Sequence, residues 1–284
     1  MSARRVRPPH RRARAARRGS RTRLSARLRG LLRALRRAPP LVQLGTGLAV
    51  LLAVAFAVNG VYQLVRKPTE LFFPVSGVLY KTPADTWREY GPLFLRYSTA
   101  SIPPQLLAAL AQVEASGNPL ARTYWRWAWK LRPFEVYRPA SSAVGMYQIT
   151  DSTFAEARHY CVHDHRLTRE GRWDEWHSCW LNGLYFRVVP AHAVELTAAY
   201  LDLKVGEILA TEDLPHPSRA QRRHLAAAVH LCGAGAAHAY ARRGFVFSAG
   251  ELCGDHDPRA YLARVDAMEV LFARLAADGA ADYH

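Results

Sequence analysis

Glu114 is the side chain in this sequence best placed for acid–base chemistry. It stands in the run Val113-Glu114-Ala115-Ser116-Gly117-Asn118-Pro119, after an apolar stretch at helical spacing formed by Leu106, Leu107, Leu110 and Val113. Gly117, Asn118 and Pro119 stop a helix. The pattern therefore predicts a carboxyl on the last turn of a mostly buried helix, where the chain breaks and a cleft can open. A carboxyl held there can pass a proton to a leaving oxygen. The plainer alternative is a surface glutamate at a frayed helix end.

A second run, Ser141-Ser142-Ala143-Val144-Gly145-Met146-Tyr147-Gln148-Ile149-Thr150, leads into Asp151-Ser152-Thr153. A third is Val229-His230-Leu231-Cys232-Gly233-Ala234-Gly235. Taken in order, the three resemble the soluble lytic transglycosylase domain, a lysozyme-like family that cleaves the glycan strands of bacterial peptidoglycan. Its first motif reads Glu-Ser-x-x-Asn-Pro, matched by Glu114, Asn118 and Pro119, with Ala115 in the Ser position and Ser116 displaced by one. Its second reads Gly-Leu-Met-Gln, of which Gly145 and Gln148 are kept. Its third reads Ala-Tyr-Asn-Ala-Gly-x-Gly, and here both glycines remain while His230 and Leu231 replace Tyr and Asn. The resemblance covers about residues 101–245.

The resemblance implies that Glu114 is the sole general acid and base, with no metal and no other cofactor. An ordinary glycosidase employs two carboxylates. A lytic transglycosylase lets one Glu protonate the leaving oxygen and then take the proton of the sugar's own 6-hydroxyl, giving a 1,6-anhydro-muramyl end. Gln148 is expected to orient the N-acetyl group, and Gly145 to permit close backbone approach. Ser116, Met146, Tyr147 and His230 are expected to contact substrate, although His230 could equally be a packed helix histidine. Glu195 reads as a paired core residue and Asp151 as a helix cap. The alternatives are a water-dependent muramidase and a non-catalytic wall-binding scaffold.

Charge and hydropathy place these motifs. The chain has 284 residues and a net charge of +16, with 39 Lys and Arg against 23 Asp and Glu. Fifteen arginines fall in residues 1–40, which carry no acid, so the remainder has 39 − 15 = 24 cations against 23 acids. The high charge thus belongs to the tail. Leu41 to Val65 then runs without a charge, and about 20 apolar residues suffice to cross a bilayer. A single inner-membrane span is expected, with a cleavable signal as the alternative. The arginines would hold the N-terminus in the cytoplasm against anionic lipid, leaving residues 66–284 in the periplasm. Nucleic acid is not expected as a partner; glycan strands are, and an envelope-spanning or secretion assembly could be.

All four cysteines, Cys161, Cys179, Cys232 and Cys253, follow the apolar run, and an even count suggests two disulfides. The pairing nearest in sequence is Cys161–Cys179 with Cys232–Cys253. Cys161, His163, His165, His177 and Cys179 could instead form a metal site, but their spacing fits no common zinc pattern.

The elements that must carry these groups read as helices. Expected are a helix opened by Pro103 and Pro104 with Ser101 as cap, and others at 152–160, 191–203, 218–231, 234–243 and 258–277. Gly233 and Gly244 sit at cap positions. The fold class is all-α, with at most a minor hairpin, preceded by one transmembrane helix. Residues 1–40 read as tail, 41–65 as span, 66–100 as linker and approach, and 101–277 as the lysozyme-like domain. The insert Tyr124-Trp125-Arg126-Trp127-Ala128-Trp129-Lys130 reads either as core or as a cleft wall on which sugar rings stack.

Overall fold

A computed structural model describes residues 30, 33–128, 134–172, 178–212 and 217–281. The arginines before position 30, Trp129 and His177 lie outside it. The chain divides into two units, one comprising 1–62 with 132–134 and the other 63–131 with 135–284.

The first unit contains most of α1, Pro40–Arg66, a helix of 27 residues. At the α-helical rise per residue that is on the order of 40 Å. Its apolar side chains, Leu44, Leu48, Leu51 and Phe56 among them, are exposed. A helix of this length and apolarity can cross a membrane.

The second unit is built mainly from helices: α2 (Pro83–Tyr97), α3 (Pro104–Ala115), α4 (Asp151–Ala157), α5 (Pro190–Thr211), α6 (Arg219–Arg242) and α7 (Pro258–Ala281). Two antiparallel hairpins accompany them. One pairs β1 (Trp125–Trp127) with β2 (Tyr137–Pro139), the other β3 (Tyr160–His163) with β4 (Arg166–Arg169). Mainly helical character was legible from the sequence; the second hairpin was not. Residues 66–100, read as linker and approach, contain the whole of α2, whose Tyr90 and Phe94 belong to the core.

α3 is the hub. Leu106, Leu107 and Leu110 are buried, and the helix packs between α2 and α7. Pro104 opens it, at a position where the missing N–H would have had no helical partner. Ser101 is not its cap: Pro103 holds that position without a side-chain bond. Ser116 ends the helix in the left-handed region at φ 48°, its N–H returning to the Ala111 and Gln112 carbonyls. Gly117 follows at φ 64°. A Cβ there would meet Thr86 Oγ1 at 2.3 Å, so glycine is required.

Within α6, Gly233 leaves helical geometry at φ 78° and ψ 167°, so two helices meet at this residue, as expected from 218–231 and 234–243. Ser218 and Gln221 form a reciprocal capping box at its start. Disulfides join Cys161 to Cys179 and Cys232 to Cys253. The first bond consumes both thiols of the cluster read as a possible metal site, and no thiolate ligand remains there.

Candidate active site

Glu114 occupies the last turn of α3, with 18 % of its side chain exposed. Its Oε1 accepts a 2.6 Å hydrogen bond from the Tyr261 hydroxyl, and His230 Nε2 stands 3.6 Å from the same oxygen. Three helices therefore meet at one carboxyl: α3 brings Glu114, α6 brings His230 and α7 brings Tyr261.

Burial, then the Glu114 charge, push the Tyr261 phenol well above its usual pKa, so it remains a donor. Burial lowers the His230 pKa, an effect that the Glu114 carboxylate opposes in part. His230 is thus a neutral imidazole at neutral pH, and Glu114 is flanked by polar groups rather than by a cation.

The Gly145–Gln148 segment is a tight turn. Gln148 N–H donates to the Gly145 carbonyl at 3.1 Å, and Gly145 N–H donates to Ala121 O at 2.8 Å. Arg187 clamps the turn from outside, donating to Ser142 O at 3.1 Å, Ile149 O at 2.8 Å and Asp151 Oδ1 at 2.7 Å. Gly145 has φ 81°, and a Cβ there would lie 2.4 Å from Arg187 O. Its close backbone approach is therefore to the chain itself, a correction to its expected place at the substrate. Asp151 is not a cap either; Thr150 caps α4 and Asp151 is its first residue.

Gln148 donates through Nε2 to Gly145 O at 2.9 Å and to Ala121 O at 3.3 Å. Both amide protons are thereby used, and the side-chain carbonyl is left as an acceptor. Gln148 and Tyr147 border a cleft of about 320 Å³ with His230, Leu231, Thr197 and Tyr200. Among the described residues, neither Asp nor Glu lines it. His230 connects the cleft to Glu114.

Met146 is fully buried in the hydrophobic core and does not line the cleft, because the turn directs it inward. Ser116 acts through its backbone as the α3 cap, its carbonyl accepting from Lys81 N–H at 2.8 Å, and it is not a lining residue. The described residues of the tryptophan insert, Tyr124 to Ala128, are absent from the cleft wall as well. Trp125 donates to Glu70 at 2.9 Å, while Trp127 is exposed on the hairpin.

Glu195 is buried, accepting from Tyr185 at 2.7 Å and from Val162 N–H at 3.2 Å, as its reading as a paired core residue requires. Asn118 is structural too: its side chain donates to Ser76 O at 2.6 Å and accepts from Leu120 N–H at 2.9 Å.

Two residues escaped sequence reasoning. Tyr261 lies in no motif recognised from the sequence, although the family's missing third-motif tyrosine could have prompted a search for another hydroxyl. Thr197, on α5, is 4 % exposed and lines the cleft with Oγ1 lacking a hydrogen-bond partner. Its position among apolar helix residues gave no signal.

Comparison with known families gives one match: residues 94–211 fit the model of the transglycosylase SLT domain. No curated protein and no solved structure matches the chain. The match takes in α3 with Glu114 and the Gly145–Gln148 turn, and ends before α6 and α7. Residues 94–211 are thus a domain of the soluble lytic transglycosylase-type, lysozyme-like family.

Proposed function

We propose that this protein is a membrane-tethered peptidoglycan lytic transglycosylase in which Glu114 is the only acid–base catalyst. The transglycosylase SLT domain at residues 94–211 supports action on peptidoglycan in general. The observation that carries the finer assignment is the meeting of Glu114 with Tyr261 and His230 beside a cleft that no Asp or Glu lines among the described residues.

In the first step Glu114 gives its proton to the glycosidic oxygen, the bond from that oxygen to C1 of the N-acetylmuramyl residue breaks, and the following N-acetylglucosamine leaves as an alcohol. In the second step the same carboxylate takes the proton of the muramyl 6-hydroxyl while O6 bonds to C1. The proton borrowed in one step is regained in the other, so no water is consumed. Tyr261 steadies Oε1 throughout. Gln148, with its carbonyl free, accepts from the acetamido N–H. His230 borders the cleft as a neutral contact.

We read residues 40–66 as a single inner-membrane span with the arginine tail cytoplasmic and residues 101–277 as a periplasmic catalytic domain. The exposed apolar surface of α1 supports the span. Action beside an envelope-spanning assembly would suit a tethered enzyme.

The test is digestion of purified peptidoglycan by the wild-type and Glu114→Gln proteins, followed by mass spectrometry. Product ends one water lighter than reducing ends, formed only by the wild type, are expected. Reducing ends would establish a hydrolase instead, and no cleavage by a folded wild type would favour a binding scaffold.

A further inference from the structure

The last turn of α1 and the chain just beyond it border a second hollow, of about 250 Å³, which shares no residue with the cleft. Among the described residues Gln63, Arg66, Lys67, Arg138 and Arg187 line it, with Asp151 as the one acid. Two further acids lie close by. Glu135 is shared by Arg66 at 3.1 Å and Arg138 at 3.5 Å, and buried Glu70 is held by Lys67 at 3.2 Å and Arg122 at 2.8 Å. Among the described residues, five cations here meet three acids. Arg138 Nε is buried and has no hydrogen-bond partner.

Arg138 belongs to β2. Its partner strand β1 carries Trp127, 54 % exposed, and Tyr124 immediately before the strand is 69 % exposed. Arginine forks match phosphate oxygens, and amphipathic aromatic rings favour the level of lipid head groups. Arg66 is the final residue of an apolar helix, and its side chain reaches Glu135, next to the hairpin. A hollow within one side chain's reach of that helix end lies where head groups would be.

We propose that the hollow at the end of α1 is a phospholipid seat, with Arg66 and Arg138 holding an anionic head-group phosphate while Trp127 and Tyr124 rest in the membrane interface. The proposal rests on the reading of α1 as a span. It goes further, giving the domain a contact of its own with lipid.

The test uses the full chain in nanodiscs of mixed phosphatidylcholine and phosphatidylglycerol. Native mass spectrometry counts the lipid that stays bound on release. Phosphatidylglycerol should be retained in preference, and the Arg66→Gln/Arg138→Gln double variant should retain roughly tenfold less, as expected from the loss of charge-assisted hydrogen bonds. Equal retention by the two proteins, no preference for the anionic lipid, or displacement of the preference by inorganic phosphate would overturn the seat. In discs of brominated lipid, Trp127→Phe should remove part of the quenched tryptophan emission, and unchanged quenching would overturn the interfacial placement without reliance on the arginine variants. A chain that fails to remain in the discs would overturn the span, and the seat with it. Glycan cleavage at the wild-type rate by both variants is expected and distinguishes loss of lipid from loss of fold.

Discussion

Glu114 and Glu195 each sit on a core helix and each accept a tyrosine hydroxyl, at 2.6 Å from Tyr261 and 2.7 Å from Tyr185. They differ in what else reaches them. Val162 N–H occupies the second oxygen of Glu195, whose residue is 4 % exposed. Both neighbours of Glu114 approach Oε1, and Oε2 has no hydrogen bond among the described residues. A carboxylate with both oxygens engaged is a structural strut, whereas one with an oxygen in reserve can exchange a proton with a visitor. The contrast teaches that burial alone does not distinguish the two carboxylates; unused hydrogen-bonding capacity does.

The comparison breaks most visibly at Glu114 itself. Glu114→Gln should lower glycan cleavage by about 10²–10⁴-fold, the usual contribution of a positioned acid–base group. Thermal unfolding should stay nearly unchanged, since the amide can still accept from Tyr261. Comparable activity in the variant would remove Glu114 from the mechanism.

Glu195→Ala should do the reverse. It strands a buried hydroxyl and a buried N–H, costing about 3 kcal/mol of stability in a denaturant titration, while molecules that remain folded retain their turnover. Burial raises the Glu195 pKa, an effect that its hydrogen bonds from Tyr185 and Val162 N–H oppose. A specific loss of turnover in the folded fraction would give Glu195 a role that its geometry does not suggest.

Tyr261→Phe sharpens the contrast, because it takes from Glu114 the one feature the two carboxylates share. Turnover should fall roughly tenfold and stability by about 1 kcal/mol, both measurable on the same preparation. An unaltered rate would mean that Oε1 needs no anchor.

The smallest effect is at His230. Its folded-state pKa is depressed, so the unfolded chain takes up the proton first, near 6.5. Stability from the neutral imidazole is present above about that pH and is lost as pH falls toward the folded-state value. The melting temperature of the wild type should thus decline more steeply on acidification below about 6.5 than that of His230→Gln. Parallel profiles would show that His230 titrates as it would in water.

Sequence reasoning reached the two halves of the site unequally. Glu114 and Gln148 were legible because each stands in a short local motif whose glycine or proline leaves a mark on the chain. The errors at Gly145, Met146 and Ser116 share a cause: a motif records that a residue is needed, without saying whether substrate or the chain's own backbone requires it. Gly145 is needed for Arg187, and Ser116 for the end of α3. The helices were legible from their apolar periodicity, and the break read at Gly233 is present in the backbone, at φ 78° and ψ 167°. Tyr261 was beyond reach, because nothing local to an aromatic on an amphipathic helix announces a partner on another helix.

The Tyr261–Glu114 hydrogen bond joins residues 147 positions apart. A ribosome adding about 5–20 residues per second places roughly 7–30 s between the two. All three sequence motifs emerge in that interval, yet the carboxyl has no hydroxyl beside it until α7 is made and docks. A chain cut before Pro258 would therefore carry all three motif segments and still be born without the hydroxyl that holds Glu114.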